Sequence, residues 1–124
     1  MINRLRQGLH WVRALRFSRS GSLNEAMDQI DKMEARGALG PLELAFKSGL
    51  LLRQRRFEEA QALIDHVARI TEGATNPNDK YVNLWVRSNR AGMNGDVALD
   101  NHLVREAEKL GVSDTFREWL PMVD

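Results

Sequence analysis

Two stretches of this sequence repeat each other. Residues 19–33 read RSGSLNEAMDQIDKM, and residues 53–67 read RQRRFEEAQALIDHV. Five positions are identical and two more keep their apolar character: Arg19/Arg53, Glu25/Glu59, Ala26/Ala60, Ile30/Ile64, Asp31/Asp65, Leu23/Phe57 and Met33/Val67. A repeat with this spacing is one supersecondary unit that cannot bury its apolar side alone. Neighbouring units must therefore stack on each other to form a core.

The pattern inside the repeat is helical. Leu23, Ala26, Ile30 and Met33 follow one face of a helix, and no long segment alternates with the period of two that strands show. A period of about 34 residues built from helix pairs is typical of tetratricopeptide-like repeats, which stack into a curved superhelix. The sequence therefore predicts an all-α fold with about three antiparallel helix pairs and a C-terminal capping helix, forming one domain over residues 1–124.

Turn residues divide the chain into these helices. Ser22, with Glu25 three residues later, predicts a capping box at the second helix, and Asp96 predicts a cap at the sixth. The clearest loop, Gly73–Asn78, behaves as an insertion, because it shifts the equivalent of Phe57 from Ala91 to Val97. We expect breaks between helices at six places: Ser18–Gly21, Gly37–Gly40, Arg55–Arg56, Gly73–Asn78, Gly92–Gly95 and Gly111.

Small residues mark where the two helices of a pair are expected to touch. Ala26 and Ala60 lie early in the second helix of their pairs, and Ala14 and Ser48 lie at matching places in the first helices, separated by the same repeat. A bulky side chain at these positions would hold the partner helix away. The repeat thus predicts close helix–helix contacts at these four residues.

The first helix of each pair is expected to present one face to the concave side of the stack. Such an apolar surface suits the apolar face of a partner helix. The alternative is that these side chains simply fill the core. The periodicity of the repeat places six residues on this face, which we predict to line a partner groove: Trp11, Leu15, Leu42, Ala45, Leu52 and Trp85. Left empty, the groove would favour self-association of the free chain.

Composition and motifs argue against several other classes of protein. The net charge of +1 makes no electrostatic case for nucleic acid or a membrane as partner, and the absence of cysteine removes thiol chemistry. His10, His66 and His102 lack partners at metal-ligand spacing, and no phosphate-binding or GxSxG motif is present. No apolar run approaches the ~20 residues of a membrane span. We expect a protein that is not an enzyme and that uses no cofactor or metal.

The N-terminal segment is rich in arginine and has no acidic residue before Glu25. A transit peptide or a membrane-surface helix can have this composition. A first repeat helix with a basic outer face is the preferred interpretation, because the segment runs directly into the repeat. A regulator that contacts nucleic acid through this helix, aided by Arg53, Arg55 and Arg56, remains an alternative hypothesis.

Five features follow one another along nearly the whole chain. Asn24-Glu25-Ala26 begins a helix in the manner of an "EEA" motif, and a glycine break follows. An apolar helix then ends in an arginine-rich turn with an aromatic residue, over Leu50–Phe57, and a "GxLxxL"-like final pair spans Arg90–Leu103 before a short closing helix. In this order of parts the chain resembles the small tetratricopeptide-like chaperones of bacterial type III secretion, specifically the larger of the two that hold the needle subunit. The loop Gly73–Asn78 is longer than in that pattern.

The resemblance implies a function. Such a chaperone holds the amphipathic C-terminal helix of the needle subunit in its concave groove and so prevents premature polymerisation in the cytoplasm. A second, smaller helical co-chaperone binds elsewhere on it. A general repeat adaptor that binds a peptide or helix in another complex is the alternative, because the repeat by itself is compatible with both.

Overall fold

The computed structural model describes residues 2–122, and side chains from Leu5 to Met122. The secondary structure of this part of the chain is entirely helical, as the sequence predicted. Its helices, in chain order, are α1 (Ile2–Arg19), α2 (Leu23–Glu34), α3 (Pro41–Arg53), α4 (Phe57–Ile70), α5 (Pro77–Met93), α6 (Val97–Glu108) and α7 (Asp114–Trp119).

The helices pack as adjacent pairs. The most extensive contacts join α1 to α2, α3 to α4, and α5 to α6. Successive pairs meet where α2 contacts α3 and where α4 and α3 contact α5. The rings of Trp11 on α1 and Phe46 on α3 lie edge to face, with their centroids 5.0 Å apart. The first helices of the three pairs, α1, α3 and α5, therefore lie side by side, and we call them the inner helices.

The turns within the three pairs share one backbone geometry. Each contains a residue in the left-handed region, at φ values of 81°, 61° and 74° for Gly21, Arg55 and Gly95. The next residue in each turn donates its N–H to a carbonyl in the last turn of the preceding helix: Ser22 to Phe17 at 2.8 Å, Arg56 to Leu51 at 2.9 Å and Asp96 to Ala91 at 2.9 Å. This bond satisfies a carbonyl at the helix C-terminus. The third pair is therefore in register with the others, despite the insertion before it.

This register identifies the small residues at the centre of each pair. Ala14 and Ala26 in the first pair, and Ser48 and Ala60 in the second, are all 0% exposed. The third pair differs, because polar residues occupy both equivalent positions. Ser88 is buried on α5 and donates a hydrogen bond from its hydroxyl to the Asp100 carboxylate on α6. A polar contact thus replaces an alanine at the position where the first two pairs are joined by small side chains.

Two features of the helix starts differ from the sequence prediction. The side chain of Ser22 makes no capping hydrogen bond, so the predicted capping box does not form. Helix α5 begins at Pro77, inside the predicted loop, because the Asn76 side chain accepts the N–H of Asp79 at 2.8 Å. Asp96 does cap α6 as predicted, since its carboxylate accepts the N–H of Leu99 at 3.1 Å.

The last helix does more than close the end of the stack. Arg117 donates to the carbonyls of Ala107 and Leu110 at the C-terminus of α6, at 3.3 and 2.6 Å, which is consistent with a cap on the last pair. The Trp119 ring, however, lies edge to face with Trp11 of α1, 5.7 Å between centroids. Helix α7 therefore reaches across to the first pair, where the inner helices offer apolar surface.

The central alanines lead to a prediction about stability. Ala60→Leu should lower the free energy of unfolding by about 1–3 kcal/mol, because the added side chain has no space between α3 and α4. The matched control is Ala62→Leu, on the exposed side of the same helix. This control should change the free energy by less than about 0.5 kcal/mol. Urea denaturation of both variants measures the difference, and equal values would show that the pair tolerates a larger spacing.

The Ser88–Asp100 contact leads to a second prediction. Ser88→Ala and Asp100→Ala should each destabilise the protein, because each leaves a polar partner group without its hydrogen bond. The double variant resembles the alanine contacts of the first pair. It should therefore be more stable than the sum of the single effects implies, by about 1 kcal/mol. A double-mutant cycle by thermal or urea unfolding measures this coupling, and strict additivity would contradict it.

Candidate functional site

A groove runs between the inner helices and the C-terminal end of the described chain. It has a volume of about 380 Å³. Leu15 of α1, Gly49 and Leu52 of α3, and Trp85 and Asn89 of α5 line it, and residues 118–121 form its other wall. A neighbouring cleft shares Leu52, Trp85 and Asn89 and extends to Met93 and Met122. The two together give a largely apolar surface that crosses the inner helices.

The shape of the groove depends on a glycine. Leu15, Gly49 and Asn89 occupy equivalent positions of the three inner helices, in the register that the turns define. A β-carbon at Gly49 would lie 3.1 Å from Cη2 of Trp85, closer than ordinary van der Waals contact. The absence of a side chain at Gly49 therefore lets the indole of Trp85 lie against the backbone of α3. No side chain from Gly49 projects into the middle of the groove.

One end of the groove carries positive charge. The guanidinium of Arg53 donates to the hydroxyl of Ser18 at 2.7 Å and to its carbonyl at 2.9 Å, which fixes the side chain across the end of α1. Arg19 lines the same end, and the carboxylate of Glu118 belongs to the opposite wall. An acidic group on a bound ligand would be attracted to the two arginines, which are both exposed, so the attraction weakens as the salt concentration rises.

The second wall is the C-terminal segment, which we define as residues 114–122. Its side chains pack on the inner helices: Trp119 meets Trp11, and Phe116 lies 5.7 Å from the ring of Tyr81, centroid to centroid. Two backbone carbonyls anchor the end of the segment. The Tyr81 hydroxyl donates to the Leu120 carbonyl at 2.6 Å, and the Trp85 indole N–H donates to the Pro121 carbonyl at 3.0 Å.

The six residues predicted for the groove fall into two sets. Leu15, Leu52 and Trp85 lie together in its lining. Trp11 lies beside it, between Phe46 and Trp119. Leu42 is half-buried against the core, and Ala45 is completely buried within it. Neither of these last two lines the groove. Ala45 lies beneath the surface that Trp11 and Trp85 form at the equivalent positions of the neighbouring helices, and Leu42 packs against the core.

Sequence reasoning missed several residues of the site. Gly49 and Asn89 could have been found by carrying the position of Leu15 along the repeat into the second and third pairs. The contribution of Arg53 through Ser18 had no local signal, since these residues are 35 positions apart. The sequence predicts the C-terminal segment at the end of the stack, and its apolar spacing shows that it needs a covering surface without identifying the inner helices as that surface.

The Tyr81 hydroxyl must keep its proton to hold the C-terminal segment, because it is the donor of the hydrogen bond to Leu120. Burial raises the pKa of its phenol above the usual 10.0, and the nearby Arg117, whose guanidinium carbon lies 5.4 Å from the ring centroid, lowers it only in part. The hydroxyl therefore stays protonated at neutral pH and remains available as the donor to Leu120. The neutral form holds the C-terminal segment.

Other kinds of site were sought across the described residues. Within them, no group of three His, Asp or Glu side chains is placed to hold a metal ion. None of the helices between Ile2 and Trp119 combines the length and apolar character needed to cross a membrane. Comparison with known protein families, curated proteins and solved structures finds no match to this chain. The functional proposal rests on the groove, because its lining is largely apolar and crosses the inner helices.

The phenol of Tyr81 gives a testable titration. It is the single tyrosine of the sequence, so the ultraviolet absorbance of ionised tyrosine reports it alone. We expect a midpoint above 10 in the folded protein and near 10 in denaturant. Because the unfolded chain loses this proton first, stability should fall as the pH rises from about 10 through the folded pKa. Tyr81→Phe should abolish the signal, and equal midpoints in both states would contradict burial of the hydroxyl.

Proposed function

We propose that the chain is a protein-binding scaffold that holds an amphipathic helix of another protein in the groove and shields its apolar face. The observation that carries the proposal is the open, largely apolar groove across the inner helices. Apart from Asn89, its polar side chains lie at the arginine end and on the opposite wall, and a groove of this kind accepts the apolar face of a helix. Such a scaffold acts by covering the apolar surface of its partner, and it requires no cofactor.

The helix pairs support a tetratricopeptide-like superhelix as the architecture. Three pairs that share one turn geometry and one register are the kind of unit that stacks in this way. The first helix of each unit contributes to one shared surface. That arrangement suits a partner that lies across several units at once.

Within the resemblance described above, the bound helix is the C-terminal helix of a type III secretion needle subunit. A helix that drives polymerisation must be covered before export, which would place this scaffold in the cytoplasm. The arginines at one end of the groove, Arg19 and Arg53, favour a helix with an acidic group at the corresponding end. The small helical co-chaperone of that family would bind outside the groove.

A general adaptor for a peptide or helix of another complex is the second candidate. The groove accommodates it equally well, since an apolar floor with one charged end selects an amphipathic helix and not a particular protein. Co-expression with a needle subunit separates the two candidates. The chaperone should keep that subunit soluble and co-purify with it, whereas an adaptor of another kind should leave it aggregated.

A groove variant tests the binding site itself. Leu52→Asp should weaken binding of the needle-subunit helix about tenfold or more, because the carboxylate would lose water without gaining a partner. The matched control is Val97→Asp on α6, at a side chain that is 67% exposed and outside the groove. Isothermal titration calorimetry measures affinity, and thermal unfolding verifies that both variants fold. Equal affinities for the two variants would place the site elsewhere.

A further inference from the structure

The C-terminal segment has the sequence pattern of a ligand for such a groove. Phe116 and Trp119 are spaced i and i+3 on one side of α7, and Leu120 follows directly after the last helical residue. This spacing is that of the anchor residues by which amphipathic helices bind apolar grooves. All three contact the surface of the inner helices or the core beneath it. The chain thus places its own short amphipathic helix on the inner helices, along one wall of the groove.

The conformation of the segment depends on that contact. Helix α7 has six residues, too few to be stable in water without packing. Beyond the aromatic rings, the Leu120 side chain is buried in the core and the Arg117 side chain donates to carbonyls at the end of α6. Two further hydrogen bonds reach the segment's own backbone carbonyls, from Tyr81 to Leu120 and from Trp85 to Pro121. Donors from the groove that bind a ligand's main chain are not specific to one sequence. They can serve another peptide in the same place.

We propose that residues 114–122 are an internal ligand, which covers part of the inner helices in the free protein and is displaced by an incoming helix. The proposal rests on the proposed function, because it assigns the groove to helix binding. It also defines the partner: a helix with large aromatic residues spaced i and i+3, followed directly by a leucine. An acidic group on this helix would lie near Arg19 and Arg53.

An internal ligand of this kind has two consequences, one for the affinity that a partner needs and one for self-association. A tethered ligand competes at an effective concentration in the millimolar range for a short linker, so a partner must bind well enough to overcome it. The connection between α6 and α7, residues 109–113, is short and contains Gly111. The internal ligand also covers Trp11 and Tyr81 in the free chain, which reduces the apolar surface available for self-association.

The test uses the full chain and a labelled peptide with its own residues 112–122, VSDTFREWLPM. Fluorescence anisotropy measures binding of the peptide to the wild type and to Trp119→Ala. In the variant the internal copy lacks its tryptophan while the peptide supplies one, so we expect about tenfold tighter binding than to the wild type. The matched control, Thr115→Ala, changes an exposed residue of the same helix and should bind as the wild type does.

A second measurement needs no variant. Hydrogen exchange of the ¹⁵N-labelled wild type, followed by NMR with saturating unlabelled peptide, should show lost protection in α7 and unchanged protection in α5. Equal or weaker peptide binding by Trp119→Ala, or retained protection of α7, would overturn the proposal and make the segment a fixed wall. Absence of peptide binding overturns it too. If the needle-subunit helix still binds, the chaperone function stands; if that helix also fails, the chaperone function is wrong together with the internal ligand.

Discussion

Close packing within each helix pair is the constraint on which the rest of the structure depends. Ala14, Ala26, Ser48 and Ala60 have no exposed surface, and their small side chains let the two helices of a pair approach. A turn with one residue in the left-handed region then reverses the direction of the chain in each pair. Because pair spacing and turn are alike, the first helices lie side by side. A shared surface across α1, α3 and α5 follows from this packing.

That surface is largely apolar, and the C-terminal segment covers part of it. The aromatic rings of Phe116 and Trp119 contact α5 and α1, and Arg117 holds the same helix to the end of α6. What remains uncovered is the groove around Leu15, Gly49 and Leu52, with the largely buried Trp85 beneath it. Stability and binding therefore share one surface, because the segment that completes the core also borders the site.

In the third pair, polar residues replace apolar ones at two repeat positions, one inside the pair and one in the groove. Its equivalent of Ala60 is Asp100, held by the Ser88 hydroxyl, and its equivalent of Leu15 is Asn89. The groove is thus apolar around Leu15 and Leu52, polar at Asn89 on α5, and charged where α1 and α3 end in Arg19 and Arg53. An unsymmetrical lining of this kind would orient a bound helix, since its apolar and charged groups can match the groove in one direction only.

The sequence by itself determined the helices, their order and the position of nearly every turn, because helical periodicity and glycine conformation are local properties. The internal repeat also located the buried alanines and placed Leu15, Leu52 and Trp85 on one face. Only the tertiary structure decided that Ser22 makes no cap, that Ala45 lies beneath the groove, and that Trp119 meets Trp11. These depend on contacts between residues far apart in the chain, such as Arg53 with Ser18 and Tyr81 with Leu120. An apolar helical face shows that a segment must be covered, but the surface that covers it is selected by the packing of the whole chain.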